Sequence, residues 1–189
     1  FWRKTQVIEN DIFYGEIQDA RVLQQKGLLK PVKIYPDFNT NLVLQDCPSD
    51  SVIETVIPEK IYADGNRTVY DVKEVLTGYA RFTATSISGD SVTIRYSGNL
   101  NEDFTLNTDT TGAWMKNDKN ELQVQKDVFI LDGQKREYAP KFCKHCFRYF
   151  EVVGNVDDIT VDKVHSNCAV TATFNSSNQT LNWIFDAYV

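Results

Sequence analysis

Three absences narrow what this sequence does. It holds no apolar run near the roughly 18 residues that a membrane-crossing helix needs. It holds no cluster of lysine and arginine: 20 basic residues stand against 26 acidic ones, for a net charge of −6. That balance argues against nucleic acid and against an anionic membrane surface as partners. It holds no G-x-S-x-G, no glycine-rich phosphate loop and no H-E-x-x-H. None of the familiar nucleophile, nucleotide or zinc-protease patterns therefore organises its acids, and no cofactor is implied. The opening FWRKTQ also lacks the apolar centre of a signal peptide. It reads as the interior of a longer chain.

What is present reads as strands. In GYARFTAT, Ala80, Phe82 and Ala84 alternate with Tyr79, Arg81, Thr83 and Thr85. In SVTIRYS, Val92, Ile94 and Tyr96 alternate with Thr93 and Arg95. The two runs flank SGDS (88–91), which predicts a hairpin. QVQKDVFILDG runs into a turn at Asp132-Gly133, and Pro140 in REYAPKF favours an extended backbone leading into residues 141–152. CAVTATF sets Cys168, Val170, Ala172 and Phe174 against Ala169, Thr171 and Thr173, which predicts another strand. SVIETVIPEKIY reads as a strand broken at Pro58, DIFYGEIQDARVL as a strand and a turn, and LKPVKIYPDF as extended. The polar stretch near 99–121 reads as a long loop. Short alternating strands between turn signals predict an all-β fold, an antiparallel β-sandwich. At the end the period changes. Leu181, Ile184, Phe185 and Tyr188 follow i, i+3, i+4, i+7, with Ser177 or Asn178 as cap, so a short amphipathic helix closes the sequence.

The densest chemistry lies in KFCKHCFRYFEV. Cys143 and Cys146 form C-x2-C, and after a gap of eighteen residues His165 and Cys168 form H-x2-C. Zinc accepts such sets. The flanks, however, have strand composition with no glycine or proline between the sulfurs. On a strand, Cys143 shares a face with His145, Phe147, Tyr149 and Glu151, whereas Cys146 shares one with Arg148, Phe150 and Val152. That geometry argues against zinc on Cys143, Cys146, His165 and Cys168. The competing reading is a structural, hydrogen-bonded cluster of His145, Arg148 and Tyr149, with the cysteines as small apolar fillers. Sugar-binding sandwiches use exposed aromatic rings. Trp114, in a polar loop, is the candidate sugar contact, with Tyr79 and Tyr96 as further outward aromatics; the competing reading has Trp114 capping the sandwich edge.

The stretch 140–154 also carries a resemblance. Pro140, Phe142, His145, Phe147, Arg148, Tyr149, Glu151, Val152 and Gly154 match P-x-F-x-x-H-x-F-R-Y-x-E-V-x-G, a signature of the bacterial α-L-rhamnosidases of glycoside hydrolase family 78. NDIFYGEIQDAR (10–21) resembles the family's N-x-x-Y-x-G-E-x-Y-D-A-R, departing at Ile17-Gln18. VYDVKEVLTGYARF (69–82) resembles Y-D-F-G-Q-N-x-x-G, with Val72, Lys73 and Glu74 in place of Phe, Gly and Gln. The resemblance implies three segments: residues 1–48 ending a preceding β-domain, 49–174 the concanavalin-like sandwich, and 175–189 opening the first helix of an (α/α)6 catalytic barrel, the partner in the same polypeptide. It further implies a parent enzyme that cleaves terminal α-L-rhamnosyl groups by inversion, with rhamnose-containing glycans as ligands. The family's catalytic acids lie downstream, in a D-C-P-x-R-D-E-R type stretch. DCPSDS, from Asp46, shares only its first letters, so no catalytic residue carries over.

Overall fold

The fold is given by a computed structural model, which describes residues 4–25, 30–34, 40–109, 120 and 124–188. Its strands are β1 (Val7–Asp11), β2 (Gly15–Asp19), β3 (Asp50–Val56), β4 (Glu59–Asp64), β5 (Arg67–Ala84), β6 (Ser91–Ser97), β7 (Asn99–Leu100), β8 (Leu106–Asn107), β9 (Lys126–Ile130), β10 (Arg136–Tyr138), β11 (His145–Val153) and β12 (Asp158–Ser166). A 3-10 turn spans Ala20–Gln24, and α1 spans Gln179–Tyr188. Ten strands form one curled sheet ordered β1-β2-β9-β6-β11-β5-β12-β3, with β4 and β10 also on β5. β7 and β8 make a separate small hairpin inside the polar stretch. Every junction is antiparallel except β2–β9, which is parallel. The β1–β2 hairpin thereby joins the same sheet as the rest.

The 18-residue β5 makes the sheet a sandwich. Its first part, up to Asp71, pairs with β4 and with the end of β11; its last part, from Gly78, pairs with β12 and β10. Between them a bulge sets Leu76 opposite Phe147 but Asp71 opposite Tyr149. The chain bends there and passes from one layer to the other, which is the usual effect of extra residues in one strand. The layers meet in an aromatic core of Phe82, Phe129, Tyr138, Tyr96, Phe147 and Phe150, with Val92, Ile94 and Val152. Phe82 meets Phe129 edge-on across the layers, centroids 5.1 Å apart. Small residues leave room for these rings. A Cβ on Gly78 would stand 2.1 Å from the Asp162 carbonyl oxygen, so only glycine lets β12 lie this close to β5.

Several expectations hold and several are corrected. Ala80, Phe82 and Ala84 point inward as expected, as do Val92, Ile94 and Tyr96. That same inward face removes Tyr96 from the outward aromatics, since it is fully buried. The break at Pro58 separates β3 from β4. The hairpin across SGDS does not form: β6 pairs with β11 and β9, not with β5. The connection is an arch between layers. Asp90 folds it by accepting from Ser86 Oγ and the Ile87 amide, and Leu131 N–H bonds the Asp90 carbonyl at 2.8 Å. Alternation fixes which face is buried but not which strand lies alongside. CAVTATF is not a strand. The β12–β3 ladder ends at Ser166 opposite Asp50, and residues 167–174 continue exposed. The strand that the alternation does not announce is β12 itself, which takes the place beside β5. The helix forms as expected, with Asn178 Oδ1 accepting the Thr180 amide at 3.0 Å. Its apolar side is met by Phe174 on Phe185, while Leu181, Trp183 and Ile184 stay exposed.

Lys73 sits in the bulge with φ +73°, a left-handed conformation, where the resembled motif has glycine. Its amide donates to Asp71 Oδ1 at 2.7 Å, so the turn keeps its shape at the expense of a strained lysine. Replacing Lys73 by glycine is expected to raise Tm by about 1–4 °C in circular dichroism melts, after allowing for glycine's freedom in the unfolded chain. A fall would mean that the Lys73 side chain contributes more than its backbone costs.

Candidate functional site

Beneath the start of β11 lies a buried polar cluster. Strand alternation in KDVFI turns Asp127 inward beside Phe129, so a carboxylate enters the core. His145, the first residue of β11, faces it: His145 Nε2 lies 3.0 Å from Asp127 Oδ2. Tyr96 Oη donates to the same oxygen at 2.8 Å. The Glu16 amide donates to Asp127 Oδ1 at 2.9 Å, and Cys143 Sγ lies 3.4 Å from it. The Tyr96 ring stacks on the imidazole at 4.2 Å and fixes its plane. Tyr96 Oη in turn receives the Ala80 amide at 3.3 Å, linking the two layers. Burial raises the Tyr96 phenol well above its ordinary value, and the Asp127 charge adds to this. Burial likewise drives the Cys143 thiol far up, again with Asp127 adding. A thiol held protonated in this way is a poor nucleophile.

Glu16 extends the cluster. It is fully buried, and its carboxylate receives the amides of Lys141 and Phe142 at 3.1 Å, with Gln18 and Asn10 as further donors. Gln18, which stands where the resembled motif has an aromatic, also bonds the Ala139 carbonyl at 2.7 Å. The Gly15-Glu16 pair thus anchors the segment leading into β11. Gly15 has φ +118°, and a Cβ there would lie 2.1 Å from the Lys126 carbonyl oxygen.

The rest of the motif does other work. At the bulge, the inward positions of β11 change from His145 and Phe147 to Phe150 and Val152. Tyr149 therefore does not share the core face with Phe147, and Phe150 does not share the face of Arg148. Arg148 makes a two-pronged ion pair with Asp71, 3.0 Å at each contact, and its guanidinium lies 4.9 Å from the Tyr149 ring. Burial pushes the Asp71 carboxyl up, but Arg148 and the Lys73 amide outweigh it and hold it below the usual value. Glu151, also buried, is clamped by Arg67 and Arg95. Burial raises its carboxyl, and the two guanidinium groups more than reverse that. Carboxylates lowered in the folded state lend stability above their unfolded values and lose it as pH falls through the folded ones. Chemical denaturation should accordingly give a midpoint that is flat from pH 7 to about 5 and drops below about pH 4; a midpoint unchanged at pH 3 would deny these pairs their role.

The four residues of the zinc reading are not brought together. Cys143 is buried beside Asp127, whereas Cys146, His165 and Cys168 are exposed, on β11, on β12 and beyond it. Trp114 lies outside the described residues. DCPSDS begins in the exposed stretch before β3, and its last two residues, Asp50 and Ser51, open that strand. Asp157 and Asp158 are exposed at the turn into β12, with Asp157 bonded to Thr85. Sequence reading missed Asp127 and Glu16. The available signal was an acid at an inward strand position, Asp127 two residues before Phe129.

Residues 61–170 match the concanavalin-like domain of bacterial α-L-rhamnosidases. The chain belongs to that family. An α-L-rhamnosidase of Streptomyces avermitilis is 28% identical over 120 residues, which is 60% of this chain and 11% of that protein. The solved α-L-rhamnosidase from Dictyoglumus thermophilum is similar over 97% of this chain and 21% of its own, at 27% identity and a TM-score of 0.72. The Streptomyces avermitilis α-L-rhamnosidase complexed with L-rhamnose shares the fold at TM-score 0.73, 22% identity, 96% of this chain and 18% of its own. The sequence thus spans a small part of the relatives it resembles. The concanavalin-like domain here is a sandwich whose motif residues His145, Arg148 and Glu151 all point into ion pairs or buried hydrogen bonds.

Proposed function

We propose that this chain is a non-catalytic framework domain of an α-L-rhamnosidase that hydrolyses terminal α-L-rhamnosyl groups by inversion, and that it supports the catalytic domain. The observation that carries this reading is the use made of the motif. An inverting glycosidase needs two carboxyl groups roughly 6.5–9.5 Å apart flanking an open sugar site. The carboxylates of the motif region, Glu16, Asp71, Asp127 and Glu151, are buried and committed to amides, arginines, a tyrosine or a histidine. They hold strands together and have no room for a sugar. The exposed Leu181, Trp183 and Ile184 on α1 suit contact with a following domain.

A second reading, an autonomous carbohydrate-binding module, draws on an open polar cleft of about 250 Å3 lined by Asn66, Ser86, Asp90, Ser91 and Asn155. These side chains offer hydrogen bonds, but the cleft has no aromatic platform among the described residues. Calorimetric titration with L-rhamnose separates the two. A framework domain gives no saturable heat. Binding abolished by Asp90→Ala would transfer the assignment to the module.

A further inference from the structure

Asp127, Cys143 and His145 are, among the described residues, the only three metal-ligating side chains gathered with their donor atoms within 4.8 Å of one another, and all three are buried. The contacts among them are 3.0 Å from Nε2 to Oδ2, 3.4 Å from Sγ to Oδ1 and 3.9 Å from Sγ to Nε2. Donors held at zinc's bond lengths of about 2.0–2.3 Å in a tetrahedron stand roughly 3.3–3.6 Å apart. The contacts bracket that range, and because the histidine and the thiol meet different oxygens of the one carboxylate, side-chain shifts would bring the set onto a single ion.

Charge favours the same conclusion. Two fully buried carboxylates, Glu16 and Asp127, are neighbours here, and among the described residues no lysine or arginine forms an ion pair with either. Their donors are amides, a phenol, a thiol and an imidazole. A divalent cation would supply the missing positive charge. The carboxylate is already oriented for it: the Tyr96 hydroxyl and the Glu16 amide each hold one oxygen, the kind of outer support that metal-binding carboxylates use.

We propose that Asp127, Cys143 and His145 bind one thiophilic divalent metal ion, zinc by preference, with water completing the shell. Thiolate and imidazole donors select zinc over magnesium or calcium. Cys143, on the loop before β11, is the least buried of the three and offers the entry path. On binding, the Cys143 thiol gives its proton to solvent and the imidazole proton moves to Nδ1. Nδ1 has no hydrogen-bond partner among the described residues. The missing outer acceptor weakens the site by about 10–100-fold relative to a fully supported one. The ion would tie β9 to β11 and stiffen the layer junction, a structural role that involves no sugar chemistry.

The test uses the 189-residue chain purified without chelator. Expected are about one zinc per chain by elemental analysis, a zinc-dependent rise in Tm, and a thiolate-to-cobalt charge-transfer band after exchange with Co(II). Cys143→Ser should abolish the band, while Cys146→Ser and Cys168→Ser retain it. No metal uptake by folded wild-type protein would overturn the proposal, whatever the variants do. So would a cobalt band that survives Cys143→Ser.

Discussion

Asp127→Ala is expected to lower the unfolding free energy by about 3–5 kcal/mol, the scale for removing one partner from a buried charged network. Four donors converge on this buried carboxylate: Tyr96 Oη, the Glu16 amide, His145 Nε2 and Cys143 Sγ. The alanine leaves them unmatched and opens a cavity under β11. For a domain of this size each kcal/mol shifts Tm by about 2–4 °C, so the melt should move down by roughly 6–20 °C. Loss of His145 alone, as His145→Phe, should cost less, because the ring stacked on Tyr96 is kept. If Asp127→Ala melts within a degree of wild type, the cluster does not hold the fold.

The second large effect is a contrast along β11. Phe147 and Phe150 are both fully buried, three residues apart, because the bulge switches the inward face between them. Either one changed to alanine should cost about 3–5 kcal/mol. Tyr149→Ala, on the half-buried side against Arg148, should cost about 1 kcal/mol, in the range for an aromatic that keeps one face in solvent. A strand without the bulge would reverse this order, making Tyr149 costly and Phe150 cheap. Denaturation midpoints of the three variants decide between them.

That contrast also shows where sequence reading stops. Period-two alternation located the inner faces of GYARFTAT and SVTIRYS, and the sandwich class followed. It could not see the bulge, because four residues of β5 (72–75) loop out opposite Arg148 through a lysine in a conformation usually left to glycine. Nor could it tell the arch at 85–90 from a hairpin, since both present a Gly-Asp turn between alternating runs. CAVTATF alternates as well as any real strand here, yet it has no sheet edge to pair with beyond Ser166. Strand propensity describes fit to a neighbour, and the sequence does not name the neighbour. The cysteines of the motif were visible at once, whereas the partners that matter, Asp127 and Glu16, lie 16 and 127 residues before Cys143. Only the fold brings them together.

In the framework reading, the buried acids of this domain hold strands and perform no hydrolysis. Incubation of the purified chain with an aryl α-L-rhamnoside, with release of the aryl alcohol as the readout, tests this most directly. The predicted result is a rate equal to that of buffer alone, in protein shown to be folded by its melting transition. Turnover that scales with protein concentration, and that falls when Glu151 or Asp127 is replaced by its amide without loss of the folded state, would contradict it.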